Sequence, residues 1–184
     1  MLKIFNKILL TIAVLSVVTM FAACSDNAYN QGDKTTDIRQ ERAKLEEANR
    51  NLVKQEKEII DEYITNNGLE FVKTGTGLRY RIANQGDSTL IKSGDIITME
   101  YELRLLNGEL LYSSDNVGYK VFVVGRGGVE SGLEEAVLYL HKGDEAEIII
   151  PSYLAHGLTG DGIMIPPHAT LLYKVKIIDN QINK

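Results

Sequence analysis

Hydrophobic and polar positions along the chain change rhythm twice. Ile8 to Phe21 is a run without charge, preceded by Lys3 and Lys7. From Asp37 to Tyr63 no Gly or Pro occurs, and Ile38, Leu45, Leu52 and Ile59 recur at heptad spacing. After Gly68 the period falls to two. In "IITMEYELRLL" (96–106), Ile97, Met99, Tyr101, Leu103 and Leu105 fall on one face. In "TLLYKVKII" (170–178), Leu171, Tyr173, Val175 and Ile177 do the same. Such alternation marks half-buried strands. "LRYRI" (78–82), "YKVFVV" (119–124) and "EAEIII" (145–150) predict further strands, and "NGE" (107–109) a hairpin turn. Ser131 and Glu134 have the spacing of a capping box opening "LEEAVLYL", which "HKGD" (141–144) ends. "GRGG" (125–128) reads as a tight turn into that helix. Together these elements predict an α+β domain over residues 68–184, antiparallel strands curling round one short helix.

The heptad spine predicts a helix over residues 37–67, with Asp37 as N-cap, Gln40 three residues on, and "NNG" (66–68) as a left-handed stop. Its companion row is Glu41, Ala48, Gln55 and Glu62. A coiled coil needs both rows apolar. The spine therefore supports at most a weak homodimer. Ile59, Ile60, Tyr63 and Ile64 predict instead that the C-terminal turns dock on the following domain. Residues 24–36 are polar and read as a tether.

The basic start, the apolar run and small Ala22 and Ala23 have the layout of a secretory signal over residues 1–23. The run is shorter than the roughly 18 residues expected of a spanning helix. Cys24 is the only cysteine, so no internal disulfide can form. "FAAC" resembles a bacterial lipobox, with Phe21 in place of the commoner leucine. That resemblance implies cleavage before Cys24 and acylation of its thiol and new amine. Each buried CH₂ contributes roughly 0.8 kcal/mol, so two or three chains hold firmly to a bilayer. The implied location is the cell envelope, on a membrane-anchored lipoprotein facing the periplasm or the cell surface.

Charge and chemistry narrow the function. At 44% hydrophobic and 24% charged the chain is of ordinary globular composition, and a net charge of −5 without a basic stripe argues against nucleic acid as a partner. His141, His156 and His168 are widely spaced, with no H-x-x-x-H or C-x-x-C pair, so neither a metal nor a cofactor is expected. "GVESG" (128–132) misses the nucleophile-elbow pattern, and "GRGG" lacks a P-loop lysine. What remains is aromatic: Tyr101 and Tyr173 point inward by strand parity, either as core residues or as the wall of a site. Pro166 and Pro167 set a stiff corner directly before the last strand.

From Thr76 to Asp179 the chain resembles the FK506-binding-protein (FKBP) type peptidyl-prolyl cis-trans isomerases. "TGTGLRYRI" is similar to the family's opening strand. "IKSGDIITMEYELRLLNGELLYSS" is similar to its G-D-x-V-x-V-x-Y … L-x-x-G-x-x-F-D-S-S run. "VFVVGRGGVESGLEEAVLYLHKGDEAEIIIP" is similar to its loop, helix and next strand, and "YLAHGLTGDGIMIPPHATLLYKVKI" to its flap and last strand. The most specific piece is "IPPHATL".

The resemblance implies an FKBP-like curved sheet wrapped around one short helix. It places Tyr101, Tyr112, Phe122, Val129, Leu133, His156, Ile165 and Tyr173 in an apolar pocket, with Ser113 and Glu130 at substrate-binding positions, and needs no nucleophile or metal. Four departures stand out: Tyr112-Ser113-Ser114 lacks the aspartate, Leu133 replaces a tryptophan floor, His156 replaces a tyrosine, and Glu130 replaces an apolar residue. They predict weak catalysis by a folding helper acting on proline-containing polypeptides. The alternative reading is a non-catalytic binding module or chaperone of the envelope.

Overall fold

The computed structural model describes residues 31–86 and 89–178, with side chains from Asp37 onward. The signal segment, Cys24 and the first part of the tether lie outside the described residues. Among those residues no helix is long and apolar enough to cross a membrane.

The first element, α1, spans Gln31–Asn66. It begins six residues before Asp37, so Asp37 is an interior residue rather than the N-cap, and residues 31–36 are helical rather than tether. Once a helix is nucleated, each added residue gains a hydrogen bond for the dihedrals it fixes. The chain divides into two compact units at Asn49/Arg50, within this helix. In the first unit every described residue of α1 is exposed.

The second unit holds seven strands among the described residues: β1 Val72–Lys73, β2 Arg79–Asn84, β3 Ile96–Leu105, β4 Leu110–Ser113, β5 Lys120–Val123, β6 Glu145–Ile150 and β7 Leu171–Ile178. They form one antiparallel sheet in the order β1-β2-β6-β7-β3-β4, with β5 pairing β3. Two helices complete it, α2 Ser114–Val117 and α3 Ser131–Val137.

Strand β3 organises the site. On one side it pairs β7 from Thr98 to Leu105. On its other side Ile96 to Met99 pair β5, whereas Glu102 to Arg104 pair β4. Tyr101 stands between those two ladders, and its amide donates to Ser114 Oγ at 3.3 Å. The sheet thus curls with two partners diverging from one strand.

The alternation read from the sequence defines the concave face. Ile97, Met99, Tyr101 and Leu103 are buried, as are Leu171, Tyr173, Val175 and Ile177. They close on Leu133, Ala136 and Val137 of α3. That helix is shorter than "LEEAVLYL" suggests, and its capping box does not form. Its N-cap is Glu130, with no side-chain cap. Ser131 Oγ instead donates to Leu154 O, while the Glu134 carboxylate accepts from the amides of Gly125 and Gly127. Those amides of the "GRGG" turn face the carboxylate, which satisfies two donors there at once.

The sheet's other face carries a second, smaller core. Ile60 of α1, 1% exposed, packs on Ile149 and Leu172, with Tyr63, Ile64, Phe71 and Leu106 around it. Burying such a side chain stabilises by about 1.5–3 kcal/mol. Ile59, expected in this contact, is 56% exposed. Successive helical residues point about 100° apart, and the phase follows Ile60, Tyr63 and Ile64.

Candidate active site

The cleft forms where β4 and β5 part from β3. It encloses about 280 Å³ and is lined by Tyr101, Leu103, Tyr112, Val117, Lys120, Glu130, His156, Asp161 and Ile165. A larger concavity of about 410 Å³ lies on the outer, charged face of the sheet, among Glu100, Glu102, Glu145, Glu147, Lys174 and Lys176. It is a row of strand-surface ion pairs such as Lys176–Glu145, with Tyr101 as its single aromatic lining residue. The smaller cleft is the candidate site.

Residues between Pro151 and Thr170 form the flap over this cleft. A short 3₁₀ helix, Ser152–Leu154, starts it. Asp161 folds its tip: Oδ1 accepts from the amides of Ile163, Met164 and Ile165 at 2.8–2.9 Å, and Oδ2 accepts from Tyr112 Oη at 2.5 Å. Burial pushes the Asp161 carboxyl up, but the Tyr112 hydroxyl and the three amides outweigh it and hold it well below the usual carboxylate range. Gly160 adopts φ +69, and a Cβ there would collide with the Ile165 carbonyl. Beyond it the chain turns at Pro166 and Pro167 and passes through His168 at φ 57. The stiff corner thereby keeps Ile165 buried against the core while the prolines themselves are exposed.

The floor is charged. Glu130 stands just before α3 with its side chain 7% exposed. Its Oε1 accepts from Tyr173 Oη at 2.7 Å and lies 3.2 Å from His156 Nε2. Its Oε2 has no hydrogen bond and faces Lys120 Nζ at 3.6 Å. Lys120 also donates to Tyr173 Oη at 3.2 Å, and its ammonium sits 5.2 Å from the Tyr101 ring and 5.5 Å from the Tyr173 ring. Both are cation–π distances.

The electrostatics follow from this packing. Burial raises the Glu130 carboxyl, yet the Lys120 charge and the Tyr173 hydroxyl outweigh it, so it stays ionised below its ordinary range. Burial, then the Glu130 charge, push the Tyr173 and Tyr101 hydroxyls up.

Tyr101, Tyr112, Glu130, His156 and Ile165 line the cleft. Tyr173 is fully buried beneath it and reaches it through its hydroxyl. Leu133 is fully buried, Phe122 is buried in the main core, and Val129 packs at the edge of that core; none lines the cleft. Ser113 is buried toward the outer face and lines the other concavity. Counted from Gly108 through the L-x-x-G-x-x-F-D-S-S run, the aspartate position is Tyr112 rather than Ser113, and Tyr112 does line the cleft. Its hydroxyl meets the Asp161 carboxylate of the flap there.

Lys120 and Asp161 were not anticipated from sequence. Parity offered a signal for the first, since Lys120 lies two residues from buried Phe122 on one strand and therefore shares its face. For the second, an Asp-Gly pair in a glycine-rich loop signals an Asx-type turn. Among the described residues no group of three or more His, Cys, Asp or Glu converges to hold a metal.

A curved antiparallel sheet around one short helix, with a flap over an aromatic cleft, is the FKBP fold. The chain superimposes on the crystal structure of AtFKBP13 with a TM-score of 0.57 and 29% identity, covering 59% of this chain and 97% of that one. For FkpA from Escherichia coli the values are 0.60 and 26%, covering 91% and 79%. Residues 87–178, half of the chain, match the family model of FKBP-type peptidyl-prolyl cis-trans isomerase, and the chain belongs to that family. It is 36% identical over 144 residues to the probable FKBP-type isomerase FkpA of Neisseria meningitidis serogroup B, covering 77% of this chain and 52% of the relative. It is 37% identical over 101 residues to FK506-binding protein 1 of Debaryomyces hansenii, covering 53% and 89%. The chain spans about half the length of the first bacterial relatives it matches.

Proposed function

We propose that this chain is a weak peptidyl-prolyl cis-trans isomerase that assists the folding of exported proteins from a lipid anchor at Cys24. The carrying observation is the cleft itself, roofed by Ile165 and walled by Tyr101 and Tyr112. Rotation about a peptide bond is opposed by about 18–20 kcal/mol of resonance. At proline the cis and trans forms lie within about 0.5–1 kcal/mol, so only the barrier needs lowering. The planar imide is charge-separated, and the twisted transition state is less so. Dry, apolar surroundings therefore favour the twisted form, and no nucleophile is needed.

The Lys120–Glu130 pair works against this. It keeps charge and dipoles at the floor, where they favour the planar, polar ground state. Weak acceleration follows from that composition. The same pair favours a second reading, a binding module that holds proline-containing segments without turning them over. A refolding assay limited by one prolyl bond, run without protease, separates them. Acceleration supports the isomerase; peptide binding without acceleration supports the module.

The anchor and location rest on the sequence: a basic start, an apolar run, and Cys24 as the only cysteine. They support a position in the cell envelope, facing the periplasm or the cell surface. Weak homodimerisation has one supporting feature, the exposure of Ile38, Leu45 and Leu52 along α1.

A further inference from the structure

The flap leaves the sheet at Ser152 and rejoins it at Thr170. Both ends are held by one carboxylate that belongs to neither strand. Glu56 of α1 accepts from Ser152 N at 2.6 Å and from Thr170 Oγ1 at 2.6 Å through Oε1, and from Ser152 Oγ at 2.9 Å through Oε2. Charge-assisted bonds of this length are the strong ones. Ser152 is buried, so its amide has little access to water as an alternative partner.

The reach of Glu56 is set by how α1 docks. Ile60, one turn on, is the buried anchor against Ile149 and Leu172, which flank the flap in sequence. Asp61 adds an ion pair to buried Arg79 at 2.7 Å. From Ser152 the bonding continues into the flap. Gly157 N donates to Ser152 O at 2.8 Å, and His168 N donates to Gly157 O at 2.9 Å. His156, between them, is the flap residue that meets Glu130.

We propose that Glu56 is a positioning residue of the isomerase site: one carboxylate on α1 pins both ends of the flap and fixes its closed geometry. The role of the flap rests on the isomerase reading of the cleft. The clamp itself does not.

The alternative is a strut that merely fastens α1 to the domain. Three variants of the full chain distinguish them: Glu56→Ala, Glu56→Gln, and Ile64→Ala, which loosens the same helix through its apolar contact alone. Amide hydrogen exchange is read at Gly157 and His168 and along β3, beside the isomerase rate and the melting temperature. Glu56→Ala is expected to speed exchange at the two flap amides about tenfold without matching change in β3, a local opening. It should lower kcat/KM by a similar factor. Glu56→Gln, whose amide oxygen can still accept from Ser152 N and Thr170, should restore much of both. Ile64→Ala should lower the melting temperature at least as much, yet leave flap exchange tracking β3. Equal flap effects in Glu56→Ala and Ile64→Ala, or none in either, would overturn the clamp. If wild type fails to accelerate isomerisation, the isomerase reading fails, and the exchange comparison still decides the clamp.

Discussion

Tyr112 of β4 donates its hydroxyl to Asp161 Oδ2 at 2.5 Å, tying the edge strand to the flap. Asp161 also gathers three flap amides, so its charge organises the whole tip. Its folded carboxyl lies below the ordinary range. Such a group contributes stability that is present above its unfolded pKa, about 3.9, and lost as pH falls through the folded value. Tyr112→Phe should raise KM a few-fold at neutral pH and leave the sheet intact. The check is steady-state isomerase kinetics alongside flap amide exchange in acid, where wild type should come to resemble the variant.

The Lys120–Glu130 pair predicts an asymmetry. Lys120→Met strands a carboxylate whose side chain is 7% exposed, and breaking a buried pair this way costs on the order of 3 kcal/mol. Lys120 itself is 23% exposed, so solvent moderates the loss. Lys120→Met combined with Glu130→Ile should recover most of that stability and raise the isomerase rate several-fold by removing charge from the floor. Urea unfolding and the refolding assay measure the two effects. A double variant slower than wild type would contradict the polarity argument. Because the folded Glu130 carboxyl is lowered, its contribution is present at neutral pH and fades as pH drops through the folded value.

Gly160 sits at φ +69 with the Ile165 carbonyl where a Cβ would be. Gly160→Ala should cost about 1–3 kcal/mol or force the flap open. Thermal unfolding gives the first, and loss of protection at the Asp161 amide, which donates to Ile165 O, gives the second.

Cys24→Ser tests the anchor. The variant is expected to remain uncleaved or to shift to the soluble envelope fraction. Fractionation and gel mobility identical to wild type would remove the lipoprotein proposal.

Deleting residues 25–50 removes the first part of α1, whose described residues are all exposed, and keeps Glu56 and Ile60. The shortened protein should stay folded and monomeric by sedimentation. A dimer in the full chain that disappears on deletion would show that Ile38 and Leu45 pair.

The strands were legible because burial on one face imposes a period of two, as Ile97 to Leu103 and Leu171 to Ile177 display. The docking of α1 was legible as a cluster, but not in phase, since Ile59 and Ile60 are equally apolar and only the partner sheet selects between them. At the cleft, aromatic positions on long strands could be placed by parity. Parity also sets Ser113 away from the cleft, because it immediately follows Tyr112 on a strand, and only the family resemblance puts it at the site. Glu134 carries the sequence signature of a cap, yet two glycine amides compete for it. Glu56 was invisible for a simpler reason: its partners lie 96 and 114 residues away, and no local pattern encodes such a meeting.

The divergence of β4 and β5 from β3 has a consequence for recognition. Many peptide-binding domains extend a sheet by one strand and grip the guest through its main chain. A proline nitrogen carries no hydrogen and cannot join such a ladder. At Tyr101 the two ladders stop, and the space between them is furnished with side chains instead of paired amides. On the isomerase reading, a guest held there would meet the rings of Tyr101 and Tyr112, the Ile165 side chain and the Lys120–Glu130 pair, and its neighbours along the chain would be left free of an imposed register.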